Sequence, residues 1–232
     1  MVVRELDRMA VRMRWYCLAQ TPFPGSRWTV PLTRAEFDRG IDYWLATTWP
    51  QDFHASFYRE MTAVNPNGTF DDAWWSRFLP VLRAWRATRP RGSDYLTDRA
   101  RQRFPALSQA WTSAVSPHLG VDFTSLEWRQ IEAFPRVVAE IKDVGSPVFA
   151  SKFCHFLAPA IFPIVDNAAM GNPYSSYADC FVAYQRQWLL TDQHTRDELV
   201  LRLREQIGEP LDDSFPIKSK VVELCLIGRN HG

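Results

Sequence analysis

The chain has 232 residues, of which 46% are hydrophobic, and its formal net charge at pH 7 is +1. The chain therefore has enough apolar residues to form the core of one large domain, or of two lobes that share a core. Its near-neutral net charge gives little support for nucleic-acid binding. No run of eighteen apolar residues occurs, which excludes an evident transmembrane segment, and residues 1–20 alternate arginine with apolar residues instead of forming a signal peptide.

The first half of the chain is predicted to be helical, apart from a short strand or hairpin at residues 28–32. A helix at 33–48 begins with Thr-Arg-Ala-Glu, the pattern of a capping box. Its apolar face consists of Phe37, Ile41, Trp44 and Leu45. The Asn-Pro-Asn-Gly turn at 65–68 precedes a helix that ends near residue 88. One or two further helices, interrupted near Pro105, are expected over 93–116.

Seven arginines concentrate positive charge near the end of the first half of the chain. They are Arg83, Arg86, Arg89, Arg91, Arg99, Arg101 and Arg103, set against only Asp94 and Asp98. Guanidinium groups match phosphate oxygens, so this patch could follow a DNA backbone, or it could be a solvated helix surface. A second basic cluster, at Arg4, Arg8, Arg12 and Arg14, is expected to be ordinary surface.

The segment 141–170 carries the most informative pattern. A helix predicted at 125–141 is followed by a Val144-Gly145 turn. Ser146-Pro147, directly after the turn, is a favourable start for the next helix. The buried face expected for this next helix consists of Phe149, Phe153, Phe156 and Leu157. Prolines at 159 and 163 end the helix and impose an extended segment that delivers Asp166, itself a good N-cap for residues 167–170.

This pattern resembles the core of the helix-hairpin-helix DNA glycosylase superfamily, including its 8-oxoguanine-glycosylase-like members. The family pattern runs from a Val-Gly turn, through a helix containing a small residue, to a Val-Asp about twenty positions after the glycine. Here Val144-Gly145 leads to Val165-Asp166, at a spacing of 21 residues, with Ala150 in the helix between them. The resemblance covers residues 130–172.

Two positions depart from the family pattern. Asp143 replaces the first glycine of the hairpin, and Pro147 replaces the lysine that lyase-type members carry. The resemblance therefore implies a monofunctional glycosylase that hydrolyses the bond to a damaged, mismatched or hypermodified base. Its expected partner is double-stranded DNA with one base flipped out, bound by a monomer.

The helices and the resemblance together indicate an all-α protein, a two-lobed helical bundle with the helix-hairpin-helix at its cleft. A single domain would span 1–232, with a tryptophan-rich lobe at about 1–125 and a hairpin and C-terminal helical lobe at about 126–232. Nine of the ten tryptophans precede residue 130. They could line a pocket for the flipped base, although tryptophans in a helical region are more often core.

Asp166 is the catalytic candidate that the resemblance implies. Breaking an N-glycosidic bond builds positive charge on the sugar, so an anion fixed beside C1′ lowers the barrier. Asp166 would supply that anion and orient or deprotonate the attacking water. The DNA contacts implied by the hairpin and the basic patch are Lys142, Val144, Gly145, Ser146, Val148, Arg89 and Arg91. Backbone N–H groups at the helix start would hold a phosphate there without reading sequence.

Lys152 is the second catalytic candidate, because its position borders the buried face of the helix and allows it to reach Asp166. A partly buried lysine could act as an amine nucleophile. It could equally form a structural or electrostatic ion pair with Asp166, or reach solvent, and the electrostatic role is the one we expect. His155 is expected to be a satisfied histidine at the edge of the core.

The remaining residues suggest neither a metal site nor a cofactor. The four cysteines, Cys17, Cys154, Cys180 and Cys225, are widely spaced and include no CxxC pair. That spacing favours reduced thiols in the cytoplasm and argues against the four-cysteine iron–sulfur cluster of some family members. The C-terminal helices are predicted at 173–190, 195–207 and 217–227.

The last helix is expected to close the fold. The residues predicted to face inward are Val221, Val222, Leu224 and Cys225. Those predicted to face solvent, or less favourably DNA, are Lys218, Lys220 and Arg229. Two other functions remain open at this stage. The hairpin could be a noncatalytic DNA-binding module in which Asp166 only caps a helix, or the protein could be a helical interaction or small-molecule-binding protein without DNA activity.

Overall fold

The computed structural model describes residues 30–47, 55–65, 67–89, 92–142, 147–171 and 174–232. Within these ranges the protein is all-helical and contains no β-strand, which confirms the predicted fold class. Residues 30–32, the described part of the strand predicted at 28–32, are not in a strand. Residues 143–146, where the hairpin turn is predicted, lie outside the described residues, and so does the basic cluster at residues 4–14.

The described residues form eleven α-helices. They are α1 Arg34–Ala46, α2 Ala55–Val64, α3 Asp72–Ala84, α4 Ser93–Ala110, α5 Trp128–Ile131, α6 Ala133–Lys142, α7 Pro147–Leu157, α8 Asn167–Met170, α9 Tyr177–Leu190, α10 Gln193–Ile207 and α11 Ile217–Asn230. A π-helical turn, Trp111–Val115, and two 3-10 turns, Ser116–His118 and Phe123–Ser125, connect α4 to α5. None of the described helices is both long enough and apolar enough to cross a bilayer.

Local sequence signals account for several helix starts. The capping box of α1 forms as predicted, with Thr33 and Glu36 exchanging hydrogen bonds. Asp71 accepts a hydrogen bond from the Trp74 N–H at the start of α3. Asp166 likewise caps α8. These side chains satisfy N–H groups that have no partner within the helix.

Two expectations for the first half are wrong. Leu45 was expected on the buried face of α1 but is 55% exposed, because it lies at the end of the helix beyond the core contacts of Trp44. Helix α4 is not interrupted at Pro105 and continues to Ala110. A proline removes one backbone hydrogen bond, and burial of the helix on both sides of Pro105 outweighs that loss.

One cluster of buried apolar side chains extends through the described residues, from Leu32 to Ile227, and includes residues of both predicted lobes. Its centre is aromatic. Trp74 stacks on Phe78 with ring centroids 4.9 Å apart, and Phe153 of α7 meets Phe78 edge to face at 5.0 Å. The predicted buried face of α7 is confirmed, since Phe149, Phe153, Phe156 and Leu157 are all buried.

Helices α1 and α11 pack backbone against backbone. A side chain at Gly40 of α1 would collide with the carbonyl oxygen of Leu224, and one at Gly228 of α11 would collide with the carbonyl oxygen of Glu36. Glycine is therefore required at both positions by close approach rather than by backbone conformation. This contact fixes α1, which carries two aromatic residues of the candidate site, against α11.

Helix α11 is buried more completely than predicted. The four apolar residues expected to face inward are each 0% exposed. The expectation that Lys220 and Arg229 face solvent is wrong, because Lys220 is 0% exposed and pairs with Glu223 at 2.6 Å, and Arg229 pairs with Glu36 at 2.7 Å. Each cation is compensated by a carboxylate, which is the usual condition for burying a charge. Lys218 remains half-buried beside Asp122.

Candidate active site

Asp166 is held in place by a segment that belongs to no helix. Residues 163–165 are buried, so their backbone groups need partners. Side chains provide these: Ser151 Oγ accepts from the Val165 N–H at 3.0 Å, and the hydroxyl of Tyr184 donates to the Ile164 carbonyl at 2.8 Å. The Tyr177 hydroxyl donates to the Pro163 carbonyl at 2.7 Å. The segment that precedes Asp166 is thus fixed by α7 and α9.

The carboxylate of Asp166 makes contacts on both oxygens. Its Oδ1 accepts from the N–H groups of Ala168 and Ala169 at 3.1 and 3.2 Å, which is the predicted N-cap. Its Oδ2 lies 3.3 Å from Nζ of Lys152. The Asp166 side chain keeps 26% of its surface exposed. An anion in this position is fixed in orientation yet remains accessible from one side.

Lys152 forms the ion pair with Asp166 that the sequence suggested. It is 5% exposed, and its ammonium also donates to the carbonyl of Trp85 at 3.0 Å. The same ammonium lies 5.9 Å from the ring centroid of Trp85, within the range of a cation–π contact. These three contacts give Lys152 an electrostatic and structural role beside the carboxylate.

A cavity of about 270 Å³ opens beside this pair. Its lining includes the rings of Tyr43, Trp44 and Trp85, together with Arg86, Arg89 and Asp166. The volume lies just below the lower end of the usual range for ligand pockets, about 300 Å³, and the combination of apolar walls with a few polar groups is typical of such sites. Trp44 and Trp85 meet edge to face at 6.5 Å. Both also belong to the buried core, as do Trp74, Trp75 and Trp111, which do not line the cavity.

The negative charge of Asp166 contributes to the raised pKa of Tyr43. Burial raises the pKa of its phenol above the ordinary value, and the negative charge of Asp166 raises it further, because both disfavour a phenolate. His231 stacks on the Tyr43 ring with centroids 4.1 Å apart. Its Nε2 lies 3.0 Å from the carbonyl oxygen of Ala169, to which the side-chain amide of Asn230 also donates at 3.1 Å.

Sequence reasoning missed this contribution of the C-terminal residues. Asn230 and His231 lie more than sixty positions from Asp166 in the chain, and no local motif marks them. Tyr43, Trp44 and Trp85 were visible only as members of a tryptophan-rich region or of a helix face. The role of Ser151 could not be predicted either, since a serine within an apolar helix gives no indication of a distant backbone partner.

The predicted DNA-binding residues do not all lie at the cavity. Val144, Gly145, Ser146 and Arg91 lie outside the described residues. Val148 is half-buried and lines the cavity. The expectation for Lys142 is corrected: it is 5% exposed, and its ammonium points inward to donate to the Ala87 carbonyl at 2.6 Å.

Five of the described arginines of the patch fall into two groups. Arg86 and Arg89 are exposed and line the cavity. Arg101 and Arg103 pair with the carboxylates of Asp72 and Glu140, at 2.6 and 2.9 Å. Arg99 donates to the backbone carbonyl of Glu140 at 2.6 Å. The part of the patch beyond residue 92 therefore ties helices together, and Arg86 and Arg89 are the members beside Asp166.

Other chemistry finds little support in the described part of the chain. Among those residues, no group of three or more histidine, cysteine or acidic side chains is arranged to hold a metal ion. Burial raises the pKa of the Cys154 and Cys180 thiols well above the ordinary value, which disfavours thiolate formation. His155 is satisfied in the core, as expected, with its ring nitrogens 3.1 Å from the Tyr58 hydroxyl and 2.7 Å from the Phe162 carbonyl.

The arrangement combines a fixed carboxylate, a buried cation that neutralises it in part, aromatic walls and arginines at the surface. It can stabilise positive charge that develops on a ligand, orient a water molecule and stack a planar group. Compared with protein-family models, with curated proteins and with solved structures, the chain has no match.

Proposed function

We propose that this protein is a DNA glycosylase that hydrolyses the N-glycosidic bond of a flipped-out damaged or modified base and leaves an abasic site. The observation that carries the proposal is the position of the Asp166 carboxylate, which is fixed by two N–H groups and lies beside an aromatic cavity. The resemblance of residues 130–172 to helix-hairpin-helix glycosylases supports the same chemistry. The protein would act in the cytoplasm as a monomer on double-stranded DNA.

In the proposed reaction, the target base enters the cavity and lies against its aromatic walls. Water attacks C1′ as the bond between C1′ and the base nitrogen breaks. The base departs with the bonding electrons and takes up a proton from solvent, to which Asp166 later releases the proton that it accepts. Asp166 stabilises the positive charge that builds on the sugar and accepts the proton of the water. Lys152 holds the Oδ2 side of the carboxylate in place, and no covalent bond to the protein is formed.

The test compares the protein with its Asp166→Asn variant on a panel of damaged, mismatched and hypermodified DNAs. Free base is measured by mass spectrometry, and abasic sites are measured by alkali cleavage. We expect base release by the unmodified protein and a loss on the order of 10²–10³-fold in the variant, with DNA affinity largely kept. Asparagine is also a good N-cap, so the start of α8 is preserved in this variant.

A noncatalytic DNA-binding module is the second candidate, and one observation favours it. Both oxygens of Asp166 already have partners, which gives this residue a sufficient structural role without catalysis. That alternative predicts binding to duplex DNA with a steep salt dependence that Asp166→Asn leaves unchanged, and no base release. A helical interaction protein would not bind DNA even at low salt.

A further inference from the structure

The turn after α3 places an arginine where the backbone favours glycine. The Arg86 N–H donates to the Arg83 carbonyl, and the Ala87 N–H donates to the Leu82 carbonyl, each at 2.9 Å. These two hydrogen bonds define a Schellman motif, whose first residue after the cap adopts left-handed backbone angles and is usually glycine. Arg86 occupies that position with φ of 52°. Within the described ranges it is the only residue other than glycine with positive φ.

Two buried ammonium groups donate hydrogen bonds to backbone carbonyls of this turn. Lys142 at the end of α6 donates to the carbonyl of Ala87 at 2.6 Å, and Lys152 of α7 donates to the carbonyl of Trp85 at 3.0 Å. The peptide carbonyls on both sides of Arg86 are therefore fixed by lysines that are each 5% exposed. Charge-assisted hydrogen bonds of this kind are stronger than neutral ones and are well suited to maintain a strained backbone.

The strained turn lies at the cavity of the candidate active site. Arg86 is exposed and lines the same cavity as Asp166, and Arg89 of the same turn lines it too. Lys152 connects the two features directly, because it bonds both the Trp85 carbonyl and the Asp166 carboxylate. The turn thus fixes the backbone of Arg86, whose side chain is a cationic, forked donor, at the lining of the cavity that also contains the Asp166 carboxylate. A glycine in the same place would relieve the strain but supply no charge.

We propose that Arg86 binds a phosphate group of the DNA strand that carries the flipped nucleotide. Strained backbone is retained where the side chain is needed, and a guanidinium group binds phosphate through two parallel hydrogen bonds. This inference rests on the proposed function for its ligand. The contact would fix the sugar relative to Asp166 without reading the base, as backbone contacts generally do.

The test uses a duplex that contains a tetrahydrofuran abasic-site analogue, so that no knowledge of the target base is needed. Affinity is measured between about 50 and 200 mM salt for the unmodified protein, Arg86→Gly and Arg86→Lys. We expect Arg86→Gly to bind about tenfold more weakly and to lower the magnitude of the salt slope by about one, which is the effect of losing one phosphate contact. Arg86→Lys should keep the slope and lose part of the affinity.

Two controls make the result specific. Arg77→Ala removes one exposed arginine of α3 that does not line the cavity, and thus reports the effect of net charge alone. Thermal unfolding reports the fold, and Arg86→Gly should melt no lower than the unmodified protein because glycine relieves the strain. If the glycine loosens the turn, Arg86→Asn repeats the test, since asparagine also tolerates positive φ and carries no charge.

The outcomes separate this inference from the proposed function. Base release by a protein whose Arg86→Gly and Arg86→Asn variants bind with unchanged affinity and slope would overturn the role of Arg86 and leave the function standing. An equal loss in Arg77→Ala would also overturn it. Weaker binding by the variants of a protein that binds the duplex but releases no base would support the phosphate contact and overturn the glycosylase. No binding of the duplex at low salt would overturn both.

Discussion

Lys152 and Asp166, which both line the cavity, form an ion pair with Nζ and Oδ2 separated by 3.3 Å. The two partners differ in burial: the side chain of Lys152 is 6% exposed and that of Asp166 is 26% exposed. The cation is thus removed from water while the carboxylate keeps an open side. This asymmetry suits a lysine that orients the carboxylate and does not itself meet the substrate.

Replacing Lys152 tests that division of roles. Lys152→Met keeps most of the side-chain volume but removes the charge that holds Oδ2, so we expect base release to slow on the order of tenfold with DNA affinity unchanged. Borohydride reduction during turnover should trap no covalent complex with the unmodified protein, because its ammonium is engaged with Asp166 and Trp85. A trapped complex that disappears in Lys152→Met would instead identify the lysine as a nucleophile.

The close contact between α1 and α11 is expected to be intolerant of any side chain. In Gly228→Ala the new methyl group would meet the backbone carbonyl of Glu36, which cannot move without shifting α1. We expect a loss of about 1–3 kcal/mol in the free energy of unfolding, measured with urea. The matched control is Gly92→Ala, whose new methyl group meets no described atom within 4 Å and whose expected cost is only that of a poorer N-cap for α4. Equal stability of the two variants would show that the helices are not packed this closely.

The Glu36–Arg229 pair makes stability depend on pH in acid. Burial acts to raise the pKa of Glu36, but the hydrogen bonds and charge of Arg229, with a contribution from Thr33, outweigh it and leave the pKa below its ordinary value. The unfolded chain therefore binds the proton more readily. The stabilisation is complete above the unfolded pKa of about 4.3 and is lost as the pH falls through the lower, folded value.

Glu36→Gln isolates this effect, because glutamine can still complete the capping box. The free energy of unfolding of the variant should lie below that of the unmodified protein at neutral pH. The difference should shrink once the pH drops below about 4, where the carboxylate becomes protonated. A difference that stays constant across this range would mean that the charge of Glu36 contributes nothing.

The buried pair of Lys220 and Glu223 should be sensitive to the loss of one partner. Both side chains are almost fully buried, and Nζ of Lys220 also lies 5.7 Å from the ring centroid of Trp44, which lines the cavity. Glu223→Gln leaves a buried ammonium without its carboxylate and should cost about 3–5 kcal/mol of unfolding free energy. The double variant Lys220→Met with Glu223→Leu should recover most of that loss, and a double variant as unstable as Glu223→Gln would contradict the pairing.

The sequence by itself determined the helical class and many helix starts, because these depend on neighbours within four residues. Thr33 with Glu36, Asp71 and Asp166 each cap the helix that follows, and the aromatic spacing of α7 fixed its buried face. Helix α2 went unpredicted, although Ala55, Tyr58 and Met61 form its buried face. The pair of Asp166 with Lys152 was also within reach, since only a short segment separates them.

Only the tertiary structure decided what surrounds that pair. Tyr43, Trp85 and His231 are brought to one place by the packing of α1, α3 and α11, which have no local sequence relationship. The inward direction of Lys142 and the burial of Lys220 likewise depend on carbonyl and carboxylate partners supplied by the fold. The strain at Arg86 arises from a turn whose hydrogen bonds, and whose two lysine anchors, exist only once α3, α6 and α7 are packed together.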